Sequence, residues 1–139
     1  GQIDAIKGEC QQVSLNFITP LRMKYNNQLM RVFNMEAFIK SLIKRTQFIN
    51  QYFNEGKMNL PEFNAEMLNH RLSVNLHWQE KLRRSYRQNQ SMSIGGLTGK
   101  ITIQQPSPEL LMYLRIGELI QVGKQTSFGN GKYVLKCES

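Results

Sequence analysis

Residues 12–19, QVSLNFIT, alternate between apolar and polar side chains, with Val13, Leu15 and Phe17 on one side of the pattern. Successive side chains of a β-strand point to opposite faces of a sheet, so this alternation predicts a half-buried strand. Pro20 follows directly. Because proline lacks the N–H that a strand ladder needs, we expect it to end this strand or to place it near a sheet edge.

The period changes to three and four residues after Asn34, which is typical of an amphipathic helix. The apolar face of this helix is formed by Met35, Phe38, Ile39, Leu42, Ile43, Thr46, Ile49, Tyr52 and Phe53. Asn34 is suited to cap its N-terminus, Glu36 favours the positive helix end, and Gly56 is a stop signal.

Alternation returns in residues 70–79, where Leu72, Val74, Leu76 and Trp78 share one face of a predicted strand. We interpret Trp78 as a core residue rather than a base-stacking platform. A further strand is predicted at 94–104. It contains Gly95, Gly96 and Gly99, and glycine inside a strand usually marks a bulge or the close approach of another backbone or a ligand.

Ser107, Pro108 and Glu109 together form a helix start, with an N-cap, a proline in the first turn and an early acid. The helix that they open carries Leu110, Leu111, Leu114 and Leu119. Residues 132–136 then predict the last strand. The helix is expected to run to Gly123.

The predicted order is strand, helix, strand, strand, helix, strand. This order favours an α+β, ferredoxin-like (βαββαβ) fold, in which two helices cover one face of a four-stranded antiparallel sheet. We expect residues 1–139 to form a single domain. The first residue is Gly rather than Met, so we also expect a piece of a longer protein. This fold supports many unrelated activities, and function must be argued from other features.

The chain is basic, with a formal net charge of +8, and lacks any apolar run of the roughly 20 residues that span a bilayer. Two segments free of acids concentrate the charge. The first contains Lys81, Arg83, Arg84, Arg87 and Lys100, and the second contains Lys124, Lys132 and Lys136. This distribution favours an anionic partner, although most charge runs are simply solvated faces.

Cys10 and Cys137 are the two cysteines of the sequence. Their separation matches neither a zinc nor a redox motif, so we predict two reduced thiols in a cytoplasmic protein. The alternative is a disulfide, which requires that the two ends of the chain pair as neighbouring strands.

Residues 122–135, VGKQTSFGNGKYVL, combine glycines, lysines and small hydroxyl residues. They do not form a Walker A loop, because Gln125 follows Gly123-Lys124, Glu118 stands where that motif needs glycine, and the segment follows a helix. A dinucleotide-binding loop is excluded by the same topology. The residues alone favour two interpretations equally. One is a cradle for a sugar–phosphate backbone, and the other is a turn with positive φ at Gly129 and Gly131.

Two stretches together resemble the C-terminal domain of the CRISPR repeat-RNA processing endoribonucleases of the RAMP superfamily. The first runs through Arg83-Arg84-Ser85-Tyr86-Arg87-Gln88 and Met92 to Ile94-Gly95-Gly96-Leu97-Thr98-Gly99. The second, Gly117-Glu118-Leu119 followed by residues 122–132, resembles the glycine-rich loop of that superfamily. Upstream, residues 17–22 (FITPLR) and the helix with Lys44-Arg45 also fit, so that the resemblance covers nearly the whole chain.

The resemblance implies RNA binding, antiviral defence and a metal-independent cleavage. In this cleavage a ribose 2′-hydroxyl attacks the adjacent phosphate and leaves a 2′,3′-cyclic phosphate. No cofactor and no metal ligand is expected. The expected partners are CRISPR repeat RNA, a missing N-terminal ferredoxin-like domain and other CRISPR complex subunits. The RNA-binding residues expected here are Arg83, Arg84, Tyr86, Arg87, Gly123, Lys124, Thr126, Ser127, Gly129, Gly131 and Lys132.

The catalytic residues cannot be assigned, because in this family the general acid and base commonly come from the N-terminal domain. His77 is a weak candidate for a general base, since an exposed strand histidine is more often part of an ordinary surface. Two other functions remain open. One is a non-catalytic RNA-binding subunit of a CRISPR effector complex, and the other is a ferredoxin-like protein-interaction domain.

Overall fold

A computed structural model describes residues 10–85, 87, 89–123 and 130–138 of the chain. Its strands are β1 (Gln12–Leu21), β2 (Lys24–Tyr25), β3 (Gln28–Leu29), β4 (Leu72–Gln79), β5 (Leu82–Ser85), β6 (Gln90–Ser93), β7 (Gly96–Gln104) and β8 (Tyr133–Glu138). Its helices are α1 (Met35–Asn54) and α2 (Pro108–Ile120), and a short 3-10 helix spans Ala65–Leu68.

The main sheet has the strand order β4–β7–β1–β8, and every neighbouring pair is antiparallel. Helices α1 and α2 cover one face of this sheet, and the predicted ferredoxin-like fold is confirmed. The strands β2 and β3 form a separate two-stranded ribbon, as do β5 and β6. The sequence pattern did not predict these two short hairpins, because two to four residues are too few to establish a period.

The core lies between the helices and the inward face of the sheet. Phe17 of β1 contacts Phe38 of α1 with a ring-centroid distance of 5.9 Å, and it contacts Tyr133 of β8 at 5.2 Å. The Tyr133 hydroxyl donates a hydrogen bond of 2.5 Å to the carbonyl of Leu114 in α2. Burial raises the pKa of this phenol, which therefore stays a neutral donor.

Both predicted helix starts are confirmed by their side-chain contacts. The Asn34 side chain accepts a 2.9 Å hydrogen bond from the backbone N–H of Ala37, and Ser107 Oγ accepts one of 3.3 Å from Leu110. Helix α1 ends at Asn54, immediately before Glu55 and Gly56, which both have positive φ. Helix α2 ends at Ile120 rather than Gly123, and Leu119 is exposed rather than packed in the core.

The prediction for Pro20 is wrong. Strand β1 continues to Leu21 and lies in the interior of the sheet. Its pairing with β7 is irregular between Phe17 and Leu21, and this bulge relieves Pro20 of the need for a ladder donor. The carbonyl of Pro20 accepts a 2.8 Å hydrogen bond from Gly131 instead.

The prediction of two reduced thiols is also wrong, since Cys10 and Cys137 form a disulfide with a Cα–Cα distance of 5.5 Å. The antiparallel pairing of β1 with β8 brings the two ends of the described chain side by side. Two cysteines that are 127 residues apart in the sequence are therefore neighbours in the fold.

Gly99 confirms the expectation that a strand glycine marks close backbone approach. It has a φ of +126°, and a Cβ at this position would collide with the carbonyl of Asn75 on the neighbouring strand β4. Any other residue would force β4 and β7 apart here.

Candidate nucleic-acid interface

The hairpin β5–β6 carries the arginines that the sequence predicted to bind RNA. Arg83 and Arg84 lie on β5 and Arg87 lies in the turn, and all three side chains are exposed. The guanidinium of Arg84 donates a 2.8 Å hydrogen bond to Asn89 Oδ1. This bond connects β5 to the turn. Tyr86, the predicted stacking residue, lies outside the described residues.

Glu80 fixes the base of this hairpin. Its carboxylate accepts hydrogen bonds from Ser93 Oγ, from the indole N–H of Trp78 at 3.4 Å and from the backbone N–H of Lys81 at 3.3 Å. The bond from Ser93 is the main reason that the pKa of Glu80 lies below its usual value. The charged carboxylate therefore holds β4, β5 and β6 together where they meet.

Trp78 is half-buried and packs against the core, as predicted. The Arg31 guanidinium lies 4.1 Å from the centroid of its ring. The exposed side of the indole is thus covered by a cation rather than available to a base.

The two ends of the glycine-rich segment (residues 122–132) lie beside each other and next to β1. The backbone N–H of Val122 donates to the carbonyl of Gly131 at 3.1 Å, and Gly131 donates to Pro20 at 2.8 Å. The backbone N–H of Lys132 donates to Thr19 Oγ1 at 2.8 Å. The two ends of the segment are therefore held beside each other and against the bulge of β1.

Gly131 is required by the turn itself. Its φ is +78°, and a Cβ would lie well inside van der Waals contact with the carbonyl of Val122. At this position the structure favours the turn interpretation of the segment. Gly129, and with it Lys124, Thr126 and Ser127, falls outside the described residues, so the cradle interpretation stays a prediction for them.

Arg45 of α1 holds the C-terminal end of α2, just before the glycine-rich segment begins. Its guanidinium donates hydrogen bonds to the carbonyl of Ile120 at 3.0 and 3.1 Å and to that of Gln121 at 2.8 Å. These carbonyls belong to the last turn of α2, where backbone acceptors have no helical partner and a cation is favourable.

Asn130 joins the glycine-rich segment to the hairpin. Its fully buried amide donates a 2.6 Å hydrogen bond to the carbonyl of Ile94, and Lys81 Nζ donates one of 3.2 Å to its Oδ1. The backbone N–H of Ile94 in turn donates to the carbonyl of Lys81 at 2.7 Å. We call Lys81, Ile94 and Asn130 the loop–hairpin joint.

The joint brings together two regions that are well separated in the sequence and that were both predicted to bind RNA. Arg83, Arg84 and Arg87 belong to the hairpin that connects Lys81 to Ile94, and Gly131 and the exposed Lys132 directly follow Asn130. Arg22 adds a link, because its Nη1 donates a 2.9 Å hydrogen bond to the carbonyl of Gly95. The assignment of these residues to RNA contacts remains a prediction.

The sequence placed Lys81 in a basic segment and Arg22 and Asn130 in the stretches that carry the resemblance, but it did not predict their contacts at this site. An asparagine between two glycines is an ordinary turn signal, and nothing in the sequence indicates that its amide is buried. These three residues belong to the site because of their contacts with residues that are distant in the sequence.

The histidines lie away from the joint. His77 stands on the open face of β4, where its Nε2 lies 3.2 Å from Thr98 Oγ1 on β7. His70 precedes β4, and burial lowers its pKa. Neither histidine lies on the hairpin or at the ends of the glycine-rich segment.

Within the described ranges, no group of three or more His, Cys, Asp or Glu side chains is arranged to hold a metal ion. In the same part of the chain, neither helix has the length and apolar character needed to cross a membrane.

Comparison with known families decides the identity of the fold. The model of the family described as CRISPR-associated endoribonuclease Cas6 matches residues 15–133. The chain belongs to the Cas6 family. Both the hairpin and the glycine-rich segment lie inside the matched range. Among curated protein sequences, none matches the chain significantly.

Solved Cas6 structures share the fold. Cas6 from Thermus thermophilus superposes with a TM-score of 0.61 at 18% identity, covering 96% of this chain and 57% of that one. A Cas6 product complex gives a TM-score of 0.58 at 20% identity, covering 96% and 57%. A chain of a partial Cas6-RT-Cas1–Cas2 complex gives 0.60 at 18%, covering 95% and 23%. The chain thus spans 57% of the length of the first two.

Proposed function

We propose that this chain is the C-terminal ferredoxin-like domain of a Cas6 endoribonuclease and that it binds CRISPR repeat RNA. The contact surface consists of the arginine hairpin β5–β6 and the glycine-rich segment. In this proposal the remaining length of the relatives corresponds to an N-terminal domain of the same protein, which completes the enzyme.

The loop–hairpin joint carries this proposal. A buried Asn130 amide that bonds to both Ile94 and Lys81 holds the C-terminal end of the glycine-rich segment beside the base of the arginine hairpin. Arginine forks suit phosphate oxygens, and a glycine-rich backbone permits a close approach to them. A basic surface of this composition is better suited to a nucleic-acid backbone than to a neutral partner.

The reaction that we propose for the full-length protein is metal-independent cleavage within the repeat, in which a 2′-hydroxyl displaces the 5′-oxygen of the next nucleotide. A base must take the hydroxyl proton and an acid must protonate the leaving oxygen. The cations of this chain would bind the phosphate whose charge grows in the transition state. We assign the acid and base to the N-terminal domain, because neither histidine of this chain lies on the hairpin or at the described ends of the glycine-rich segment.

The solved relatives include a Cas6 product complex, a Cas6 substrate mimic complex and a Cas6-RT-Cas1–Cas2 complex. These descriptions support repeat RNA and other CRISPR subunits as partners. We propose a cytoplasmic location on the same grounds.

The test is fluorescence anisotropy of this chain with a labelled RNA hairpin from its own genome's CRISPR repeat, with a matched DNA and a salt series. We expect RNA to bind more tightly than DNA and the affinity to fall with salt. Arg84→Gln should weaken binding and reduce the salt slope by about 1. Arg71→Gln, an exposed arginine that precedes β4, is the matched control and should leave both unchanged.

Equal losses for the Arg84 and Arg71 variants would refute a specific hairpin contact, provided that circular dichroism shows both to be folded. Absence of RNA binding at low salt would count against the proposal and would favour the protein-interaction alternative.

A non-catalytic RNA-binding role is the second candidate, favoured by the position of His77. Its Nε2 already contacts Thr98, and the side chain stands on the sheet rather than at the joint. A cleavage assay with the longer protein separates the two functions. A 2′,3′-cyclic phosphate product supports the endoribonuclease, and intact bound RNA supports the alternative.

A further inference from the structure

A cavity of about 430 Å³ lies on the face of the sheet opposite the helices. Side chains from β1, β7 and β8 line it, namely Ser14, Asn16, Lys100, Val134, Lys136 and Glu138. The register explains this grouping, because Ser14 pairs with Lys136, and Asn16 pairs with both Lys100 and Val134. Among the described residues, neither the hairpin β5–β6 nor the ends of the glycine-rich segment contribute to the lining.

Ser14 forms the floor of this cavity. It is only 4% exposed, whereas Asn16, Lys100 and Lys136 around it are exposed. Its Oγ is buried and has no hydrogen-bond partner within the described part of the chain. A buried hydroxyl without a partner is uncommon and costs stability, so its retention here calls for an explanation.

Lys100 and Lys136 line the cavity beside Ser14. Within the described residues, neither ammonium lies within ion-pair distance of a carboxylate. Glu138 at the rim accepts a 3.1 Å hydrogen bond from Gln12 instead. The cavity therefore combines two lysines, one carboxylate and an unused hydroxyl donor. Its net charge is positive, and this set of donors suits an anion with several oxygens.

The cavity also lies on a direct path from the glycine-rich segment. Lys132 directly follows the turn at Gly131 and precedes β8, and extending the alternation of β8 by one residue puts it on the same face as Lys136. Four residues of extended chain separate these two lysines by roughly 13 Å. A nucleic-acid strand that leaves the segment can therefore continue over the open face.

We propose that Ser14, Lys100 and Lys136 bind a phosphate group, and that this group belongs to the backbone of the RNA strand that leaves the glycine-rich segment. This inference rests on the proposed function for the identity of the ligand. The lining contains no aromatic side chain on which a base stacks, so the contact is to the backbone and is independent of sequence.

Three variants test the site by anisotropy with the same labelled RNA, extended by a single-stranded tail. Lys136→Gln and Lys100→Gln should each raise the Kd and reduce the salt slope by about 1. Lys57→Gln is the matched control, because this exposed lysine lies after α1 near Glu55. Its affinity and slope should equal those of the unmodified chain.

Ser14→Ala separates binding from structure. Removal of an unpartnered buried hydroxyl should leave the melting temperature unchanged or raise it. The same variant should nevertheless weaken RNA binding, because the phosphate loses a donor. A merely structural serine would not combine a preserved melting temperature with a higher Kd.

A second measurement does not depend on RNA. Inorganic phosphate is titrated into ¹⁵N-labelled protein at constant ionic strength, with chloride as the control anion. We expect saturable amide shifts at Ser14, Lys100 and Lys136 that are absent in chloride and lost in Ser14→Ala with Lys136→Gln.

The outcomes separate the two proposals. If Arg84→Gln weakens RNA binding while the Ser14, Lys100 and Lys136 variants do not, the phosphate site on the RNA path is refuted and the proposed function stands. If the unmodified chain binds no RNA, the proposed function fails, and the phosphate titration alone decides the site. Shifts then support an anion site, and their absence overturns it.

Discussion

The two ends of β1 are held in different ways. At its N-terminal end, the Cys10–Cys137 disulfide links β1 covalently to β8, and Gln12 bonds to Gln104 and Glu138. At its C-terminal end, by contrast, the strand bulges and is held by hydrogen bonds to Gly131 and Lys132. We call these the covalent end and the polar end.

This difference shows two ways of stabilising the same strand. At the covalent end the cross-link acts mainly on the unfolded chain, and the phosphate site proposed at Ser14 and Lys136 lies beside it. The polar end presents the backbone turns and cations of the proposed RNA interface, and its own stability depends on buried polar groups with complete partners. Perturbing the two ends should therefore have different consequences.

The largest effect is expected from the disulfide. Cys137→Ser, compared with the oxidised chain, should lower the free energy of unfolding by about 2–5 kcal/mol, since the cross-link closes a very long loop. Urea unfolding with and without dithiothreitol measures this change, and reduction should have no effect on the variant. RNA affinity of the folded fraction should be unchanged. A weaker RNA complex would mean that the two ends are coupled.

Gly131→Ala should have the next largest effect, at about 1–3 kcal/mol of stability, because the residue has a positive φ and no space for a Cβ beside Val122. Thermal melts followed by far-UV circular dichroism measure the loss. A variant that melts like the original chain yet binds RNA poorly would contradict the turn interpretation and would favour a phosphate cradle at this glycine.

Asn130→Ala tests the loop–hairpin joint. It leaves the Ile94 carbonyl buried without its donor, which should cost about 1–3 kcal/mol. Asn130→Asp is the matched comparison, because it keeps an acceptor for Lys81 but loses the amide donor to Ile94. Hydrogen exchange at Ile94 and on the hairpin should accelerate in both variants. Unchanged protection would show that the hairpin is held without the joint.

The smallest effect concerns pH. Folding lowers the pKa of Glu80 through its hydrogen bonds to Ser93 and Trp78, so the charged carboxylate stabilises the folded state at neutral pH. This contribution is present above the unfolded pKa and is lost as the pH falls through the lower, folded value. Glu80→Gln should remove the acid dependence at the hairpin base, which ¹⁵N spectra of Lys81 and Ser93 report. The contribution of the disulfide to the free energy of unfolding should not change over this acid range.

Much of the fold could be predicted from the sequence because it rests on periodicity. The alternation of Val13, Leu15 and Phe17 and the capping signals at Asn34 and Ser107 are local features, and each is confirmed. The wrong predictions concern residues whose structure depends on contacts with a strand that is distant in the sequence. Pro20 indicated a strand end, but a bulge against β7 and a bond from Gly131 accommodate it inside the sheet.

The sequence by itself determined the ferredoxin-like order of elements, the two basic segments and the family resemblance, because spacing and composition are properties of the chain. The tertiary structure alone decided which segments meet. Strand pairing brings Cys10 to Cys137 across 127 residues and places Asn130 against Ile94. Within the described part of the chain, it also leaves the Ser14 hydroxyl without a partner between two lysines, since burial and hydrogen-bond satisfaction depend on every strand that surrounds a residue.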